Sequence, residues 1–441
     1  MKKPLIILLF LILSGCFNNG NNLKAVEVNN GNEIKDHVWQ LNSTVNNGQN
    51  ITLKVALISS NSSDRFMQFY GTPFMEKYKN ISIEFVNIPA IFNEDMKKTA
   101  EFLAENDADL MVSSLMEYQN LANSELLLDI TSLSKIGFDM DQFVPIAIDQ
   151  LMDNNTNSLF GLAPGFSSVA LYYNKDLFDK NQITYPHGNM SWNELFQLAD
   201  QFPKSDNTYG LFLPSYGTIR SLAMFMAISK NLAFLDKELK KVTVDNSEWE
   251  DTYSLIVDGI KGGILPDSRK QGDNLFVAGK AAMTIDYVQL LKNLTNSTFK
   301  WGVSKQPEGS TQIFSVGSIY SVLIHSKKQE AALELLKYIN SDEIMKANNS
   351  NVTGLSMLPS RLSLISENGV DLSAFYDPSI LSHLNFNGFS QLPMDFSVKY
   401  DNIFEEEMND AILGKKPLND ALRIIQKKAQ KELDNSWQNQ R

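Results

Sequence analysis

Few residues in this chain have the types and spacing needed for redox, metal or nucleophilic chemistry. Its 441 residues include one cysteine, Cys16, and four histidines. A single cysteine cannot form an intrachain disulfide, a Cys-x-x-Cys pair or a cysteine-based zinc site. The sequence also lacks a Gly-x-Ser-x-Gly elbow, a His-Glu-x-x-His motif and a phosphate-binding Gly-x-x-x-x-Gly-Lys loop. We therefore expect no metal, no cofactor and no enzymatic activity.

The cysteine ends a segment that is typical of a secretory signal peptide. Lys2-Lys3 precede an apolar run, Leu5–Leu13, which is too short to span a bilayer. Leu13-Ser14-Gly15-Cys16 resembles the bacterial lipobox, in which the cysteine becomes the acylated first residue of the mature protein. We expect a signal peptide over residues 1–15. A palmitate-bearing Cys16 and a flexible Asn- and Gly-rich tether over residues 16–50 would then attach the protein to the outer side of the cell membrane.

Composition and charge describe the rest of the chain. Hydrophobic residues make up 43% and charged residues 20%, which is ordinary globular usage, and the length allows two or three domains. Asp and Glu outnumber Lys and Arg by 51 to 39, giving a net charge of −12. Nucleic-acid binding normally requires a basic surface, so we expect no nucleic-acid partner.

Strand and helix patterns alternate at the start of the ordered region. Short β-branched and apolar runs predict strands over Ile51–Ile58, Ile81–Ile88 and Ala108–Val112, and helical periodicity predicts helices around Phe66–Lys79 and Asp95–Glu105. A series of this kind predicts a mainly parallel sheet with helices on its faces.

Serines follow the first and third of these strands. Ser59, Ser60, Ser113 and Ser114 lie where open α/β sheets bind small ligands, beyond the carboxyl ends of the strands. Hydroxyl residues at the same place also serve as helix N-caps, and the sequence leaves both roles open.

The later part of the chain contains more elements of both kinds. Ser191 and Glu194 have capping-box spacing, so Trp192 is expected in the core. Further helices are predicted at Met190–Phe202, Ser247–Lys261, Lys328–Ile339 and Leu418–Leu433, and further strands at Ala170–Tyr173, Ala282–Ile285, Lys300–Val303 and Ile319–Ile324.

Several stretches, in their order along the chain, resemble the family 1 extracellular solute-binding proteins, which are the sugar-binding lipoproteins of bacterial ABC importers. The resemblance covers residues 51–433, and a lipobox stands in front of it. Its landmarks are Phe160–Pro164, Leu171–Phe178, Met190–Leu195, Leu275–Met283, Trp301–Gly309, Ser315–Tyr320, Ala331–Tyr338 and Leu413–Leu422.

The resemblance implies an α/β, two-lobe periplasmic-binding-protein-like fold with three hinge crossings, near 160–164, 314–318 and 386–393. Lobe 1 is expected over residues 51–161 and 320–388, and lobe 2 over 165–314 and 394–441. It also implies a monomer that captures a carbohydrate, of oligosaccharide size, by hinge closure and delivers it to ABC permease subunits.

Sugar sites combine polar groups with aromatic rings, and the resemblance implies that such residues line a cleft between the lobes. Asp286 and Tyr287 follow an apolar strand and are expected at its cleft end. Gln289 stands where the maltose-binding branch has an aromatic residue, so this chain departs from that branch. The remaining candidates are Phe166, Tyr216, Arg220, Ser318, Tyr320, Phe396 and Tyr400.

Three alternatives remain at this stage. A glycoside hydrolase needs two carboxylates about 5–10 Å apart, and 51 acidic residues leave room for such a pair. The same fold could carry a polyamine, iron or a phosphate ester. It could also serve as the co-receptor of a sensor kinase.

Overall fold

The computed structural model describes residues 48–57, 61–89, 95–136, 138–153, 155–204, 208–214, 217–228, 230, 232–267, 274–308, 315–348, 357–365, 371–376, 392 and 394–439. The strands are β1 (Ile51–Leu57), β2 (Ile81–Asn87), β3 (Leu110–Ser113), β4 (Met152–Asp153), β5 (Ser158–Leu159), β6 (Gly165–Ser167), β7 (Val169–Asn174), β8 (Tyr209–Phe212), β9 (Ala281–Tyr287), β10 (Trp301–Ser304), β11 (Ser315–Val316), β12 (Ile319–Val322) and β13 (Leu358–Pro359).

The α-helices are α1 (Asn61–Phe66), α2 (Thr72–Lys77), α3 (Met96–Glu105), α4 (Leu115–Asn123), α5 (Pro145–Asp149), α6 (Lys175–Asn181), α7 (Trp192–Asp200), α8 (Ile219–Ile228), α9 (Ser247–Lys261), α10 (Leu290–Leu294), α11 (Gln329–Ile339), α12 (Asp342–Asn348), α13 (Met394–Ile412) and α14 (Leu418–Asn439). A π-helical turn, Met67–Gly71, joins α1 to α2. No helix in the described part of the chain is both long enough and apolar enough to cross a bilayer.

The first lobe is built on a four-stranded sheet in the order β12-β3-β1-β2. β1 is parallel to both β2 and β3, and β12 is antiparallel to β3. The buried carboxylate of Asp109 ties this sheet together: it accepts from Lys54 N at 2.9 Å, from Ser326 Oγ at 2.7 Å and from Lys328 Nζ at 3.2 Å. Because β1, β2 and β3 are parallel, their carboxyl ends share one edge of the lobe.

The second lobe is built on a sheet in the order β10-β7-β9-β8. Only β8 and β9 are parallel, whereas β7 runs antiparallel to both β9 and β10. The mainly parallel sheet that the first strands and helices predict is confirmed in the first lobe, whereas the second-lobe sheet is mixed. Helices α7, α8, α9, α13 and α14 bury one face of the sheet.

A third sheet, called here the hinge sheet, has the strand order β11-β6-β13. Each of its strands belongs to one passage of the chain, and β6 pairs with β11 and β13. Gly165 lies so close to β13 that an added Cβ would be 2.9 Å from Leu358 O. Three segments that are far apart in the sequence thus meet in one small sheet.

The described residues that follow β13 contact both lobes. Leu364 packs in the core of the first lobe, whereas Leu372 and Phe375 pack in a cluster that includes Tyr172 of the second lobe. The Phe375 ring meets Tyr172 edge-on at 5.8 Å, and Phe375 O accepts a hydrogen bond from Ser168 Oγ. The predicted third crossing, 386–393, lies outside the described residues except for residue 392, and it stays a prediction.

Candidate functional site

Two serines lie at the carboxyl end of β3, and the structure gives them different surroundings. Ser114 is the N-cap of α4: its hydroxyl accepts from Glu117 N, and the Glu117 carboxylate accepts from Ser114 N at 2.8 Å. Ser113 is 4% exposed, and its Oγ makes no hydrogen bond to any described residue. Ser114 therefore has a capping role, and Ser113 retains hydrogen-bonding capacity.

Ser113 is adjacent to the strand that enters the first lobe from the hinge sheet. It pairs with Ile319 in the β3–β12 ladder, and the exposed Ser318 immediately precedes that strand. Tyr320 is buried, with its ring 5.6 Å from the Tyr70 ring, and burial raises the pKa of its hydroxyl well above the usual value. Ser318 is thus available at the surface, whereas Tyr320 belongs to the core.

On the second lobe, Asp286 and Tyr287 end strand β9. Both side chains are half-buried, and Asp286 Oδ1 accepts from Tyr287 N at 2.8 Å. The Tyr172 hydroxyl donates to Tyr287 O at 3.0 Å, which fixes the strand end. Burial raises the pKa of Tyr287, and the negative charge of Asp286 raises it further. The carboxylate is therefore held in place by a rigid backbone.

Gln289 follows two residues later and reaches the hinge sheet. Its side chain is exposed, and its amide lies 3.2–3.3 Å from Ser167 Oγ. Ser167 pairs with Ser315, three residues before Ser318. Ser167, Gln289 and Ser318, called here the hinge-side cluster, thus lie on or next to the hinge sheet, and Ser167 and Gln289 are in direct contact. The sequence analysis missed Ser167, which ends the short strand β6.

Three candidate aromatic residues have no access to a ligand. Phe166 and Phe396 are 0% exposed and Tyr400 is 2% exposed. Phe166 packs edge-on against Tyr376, and Phe396 stacks on Tyr400 at 5.8 Å. The interpretation of these rings as ligand platforms is corrected because both core clusters enclose them.

Arg220 is also occupied within the second lobe. Its Nε lies 2.7 Å from Asp401 Oδ1, and its guanidinium lies 5.5 Å from the centre of the Tyr400 ring. With 19% of its side chain exposed, it joins α8 to α13. Its contacts therefore favour a structural role.

Four predicted positions lie outside the described residues. Ser59, Ser60 and Tyr216 belong to segments next to β1 and β8, and Cys16 belongs to the amino-terminal region. Their roles stay predictions.

A pocket of about 420 Å³ in the first lobe contains none of the predicted site residues. Six charged side chains of its lining form ion pairs with one another: Lys77 with Glu343, Lys337 with Glu334, and Arg361 with Asp342. No group of three metal-ligating side chains occurs among the described residues. The hinge-side cluster and Asp286 instead present hydroxyl, amide and carboxylate groups, which can donate to and accept from a polyhydroxylated molecule.

Comparison with known sequences gives one family match. A sequence model of the bacterial extracellular solute-binding protein family matches residues 59–346. Binding proteins of Brucella abortus (strain 2308) and Brucella suis biovar 1 (strain 1330) are each 27% identical over 228 residues, which is 46% of this chain and 52% of theirs. The match thus spans about half the length of these curated relatives.

Solved structures share the fold at low sequence identity. An extracellular solute-binding protein of family 1 from Alicyclobacillus acidocaldarius has a TM-score of 0.65 at 15% identity, covering 87% of this chain and 99% of that one. The sugar-binding protein MalE of Xanthomonas citri has a TM-score of 0.61 at 14% identity, covering 88% and 99%. An ABC substrate-binding protein of Listeria monocytogenes, in complex with cycloalternan, has a TM-score of 0.55 at 18% identity, covering 88% and 99%. These similarities show the two-lobe α/β fold.

Proposed function

The chain belongs to the family of bacterial extracellular solute-binding proteins, and from that premise we propose that it captures a carbohydrate between its lobes and delivers it to an ABC permease. The observation that carries this proposal is the small sheet β11-β6-β13, in which three separate segments of the chain meet between the cores of the two lobes. Two rigid cores joined by such a narrow connection favour hinge closure around a ligand. Oligosaccharide size is part of the proposal.

The proposed ligand contacts are the hinge-side cluster together with Asp286 and Tyr287. The cluster supplies uncharged donors and acceptors next to the hinge. Asp286 supplies a carboxylate that can accept two sugar hydroxyls. Several solved relatives of this fold are described with carbohydrate or polyol ligands, including cycloalternan and D-mannitol, which supports a polyhydroxylated ligand here.

A thermal-shift screen tests the ligand class. Monosaccharides and malto- and cello-oligosaccharides are compared with spermidine, ferric citrate and glycerol phosphate, and each hit is measured by calorimetry. A carbohydrate present at 100 times its Kd stabilises the folded state by about 2.7 kcal/mol. Stabilisation by one of the non-sugar solutes, with none from carbohydrate, would contradict the proposal.

We also propose that binding occurs without turnover. The ligand found in the screen is incubated with the protein for a day and examined by mass spectrometry. Recovery of the intact molecule is expected. Hydrolysis that disappears in the Asp286→Asn variant would instead indicate a glycoside hydrolase.

Membrane attachment through Cys16 completes the proposed function. Mass spectrometry of the native amino terminus is expected to show an acylated Cys16. Cys16→Ala should release a protein that binds its ligand unchanged, because the predicted tether of residues 16–50 separates the anchor from the first strand. An unmodified Cys16 in the native protein would overturn the anchor.

A further inference from the structure

Arg65 is an exposed cation of the first lobe. It lies on α1, the helix that follows β1, and so belongs to the edge where the carboxyl ends of the parallel strands meet and where open α/β sheets bind small ligands. Its guanidinium lies 5.7 Å from the centre of the Phe69 ring. No carboxylate among the described residues forms an ion pair with it, its chain neighbour Asp64 included. Its donor groups are therefore available to a ligand.

Two tyrosine hydroxyls lie close to this cation. Tyr70 belongs to the π-helical turn after α1, a rare conformation that is found mostly at functional sites, and its ring lies 5.6 Å from the Tyr320 ring. Burial raises the pKa of both hydroxyls, and the positive charge of Arg65 lowers it by a smaller amount. The guanidinium is therefore near both hydroxyls.

The hydroxyls of Ser318, Tyr320 and Tyr70 form a directed chain of hydrogen bonds. The Tyr320 hydroxyl accepts from Ser318 and donates to Tyr70. Each hydroxyl carries one hydrogen, so these two bonds use the hydrogens of Ser318 and Tyr320 and leave that of Tyr70 to be donated. Because Ser318 belongs to the hinge-side cluster, the chain begins next to the hinge sheet and ends at Tyr70, near Arg65.

The groups at this end of the chain favour a ligand that accepts hydrogen bonds and carries one negative charge. A guanidinium has five N–H donors and no acceptor, so it cannot satisfy the hydrogens of neutral sugar hydroxyls. A carboxylate accepts two parallel bonds from a guanidinium, and such charge-assisted bonds are about twice as strong as neutral ones. One guanidinium balances one negative charge, whereas a phosphate monoester carries about 1.5 to 2.

We propose that the carbohydrate ligand contains a uronic acid, whose carboxylate binds Arg65 and accepts a hydrogen bond from Tyr70. The carboxylate of Asp286 on the second lobe would repel the same group, so the acidic sugar lies against the first lobe. This inference rests on the proposed function and narrows the ligand to an acidic carbohydrate.

The test compares each uronic acid with its own methyl ester. Dimers and trimers of galacturonic, glucuronic and mannuronic acid, and their methyl esters, are measured by calorimetry on the mature protein. At least one acid is expected to bind at least about tenfold more tightly than its ester, because esterification removes the charge and leaves every hydroxyl in place. Added salt should reduce this preference, since Arg65 is exposed. Equal affinities of acid and ester in every pair that binds would overturn the inference.

One pair of variants locates the charge that the acid requires. Arg65→Gln should lower the affinity for the acid to that for the ester and change the affinity for the ester much less. Lys327→Gln is the matched control: it also removes one positive charge, from a side chain that is 84% exposed and pairs with Asp107, at the opposite end of the same sheet. It should retain the full preference. A preference for the acid that persists in Arg65→Gln would overturn the inference.

A third variant tests the end of the hydroxyl chain. Tyr70→Phe removes only the donor to the carboxylate and should weaken binding of the acid about tenfold, and binding of the ester by less. Melting without ligand shows whether the loss of an acceptor for Tyr320 destabilises the lobe. The ratio of acid to ester affinity is measured on the same folded protein, so a change in stability does not alter it. An unchanged ratio would contradict the role of Tyr70.

The inference and the proposed function fail in distinguishable ways. Binding of neutral oligosaccharides, with no uronate bound or preferred, overturns the inference alone. Failure of every neutral and acidic carbohydrate to bind overturns both. Binding of galactose oligosaccharides sulfated at C6, with no binding of any uronate, would overturn the assignment of a carboxylate.

Discussion

Asp286 is the residue at which ligand binding is most open to test. Removing its carboxylate leaves sugar hydroxyls without an acceptor, at a cost of about 1–3 kcal/mol, so Asp286→Ala should weaken binding about ten- to hundredfold. Asp286→Asn keeps one acceptor and the shape of the side chain, and should lose less. Calorimetry with the carbohydrate found by screening measures both variants.

The control for this prediction is the stability of each variant without ligand. Asp286 Oδ1 accepts from Tyr287 N, so its loss could also loosen the strand end. Melting temperatures without ligand separate the two effects, and Tyr287→Ala, whose ring is half-buried, should affect binding less than Asp286→Ala. Normal binding by Asp286→Ala would place the site away from this strand end.

The sequence indicates which residues end strands but not which rings are enclosed. Asp286 could be placed at a strand end because it follows an apolar run, and the structure has β9 ending at Tyr287. Phe396 and Tyr400 could not be assigned to the core, because the core that encloses them includes Phe234, which is far away in the sequence and packs on Tyr400. Aromatic residues occur both in cores and in ligand-binding sites, and only the packing around a ring shows which of the two roles it has.

At the scale of elements, Glu407 joins helices α13 and α14. Its side chain is 3% exposed and forms ion pairs with Lys416 and with Lys428, the latter at 2.7 Å. Burial raises the pKa of this carboxyl, but hydrogen bonds from the two lysines lower it by more, so its pKa lies below the ordinary 4.5. The stabilisation is therefore present above pH 4.5 and is lost as the pH falls through the folded-state pKa.

Glu407→Gln should therefore reduce stability by about 1–3 kcal/mol at pH 7, because two lysines lose their buried partner. The difference from the wild type should be smaller at pH 3 than at pH 7, because Glu407 loses its charge as the pH falls through its lowered folded-state pKa. Glu406→Gln is the matched control: that side chain is 68% exposed and lies 3.6 Å from Lys428. Denaturation at both pH values measures the effect, and a pH-independent difference would contradict the ion-pair account.

Gly165 controls the width of the hinge sheet. A Cβ there would lie 2.9 Å from Leu358 O and 3.2 Å from Met357 Cβ, so Gly165→Ala must push β13 away from β6. We expect a loss of about 1–3 kcal/mol, the usual cost of overpacking. Gly188→Ala is the control, since its nearest neighbour is the flexible Lys305 side chain. Equal melting temperatures for the two variants would contradict this role.

Element positions were largely predictable, because periodicity and capping are local. Ser247–Lys261 is a helix as predicted, and Ser191 and Glu194 form the expected capping box in front of the buried Trp192. Strand direction was not predictable, because the antiparallel pairing of β7 with β9 joins residues more than 100 positions apart. Local patterns carry no information about which distant strand becomes the neighbour.

At the scale of the molecule, local patterns also do not show which lobe the residues after β13 contact. The segment after β13 first packs on the first lobe through Arg361, whose guanidinium lies 5.0 Å from the centre of the Phe143 ring. It then packs on the second lobe through Phe375. The two contacts lie within 15 residues, and no change of composition separates them. Contacts with sequence-distant partners decide which lobe each of these residues joins.

Hinge closure is the prediction that belongs to the whole molecule. A ligand that contacts Ser318 on one lobe and Asp286 on the other gains both sets of contacts only when the lobes approach, so saturation should shift the population toward a closed state. Small-angle scattering of the mature protein should show a smaller radius of gyration with the carbohydrate found by screening than without it. Asp286→Ala at the same ligand concentration should stay near the unliganded value, because fewer molecules are bound. If calorimetry shows saturation while the scattering curve is unchanged, the ligand is held by one lobe alone, and the three-stranded hinge sheet serves as a rigid connection.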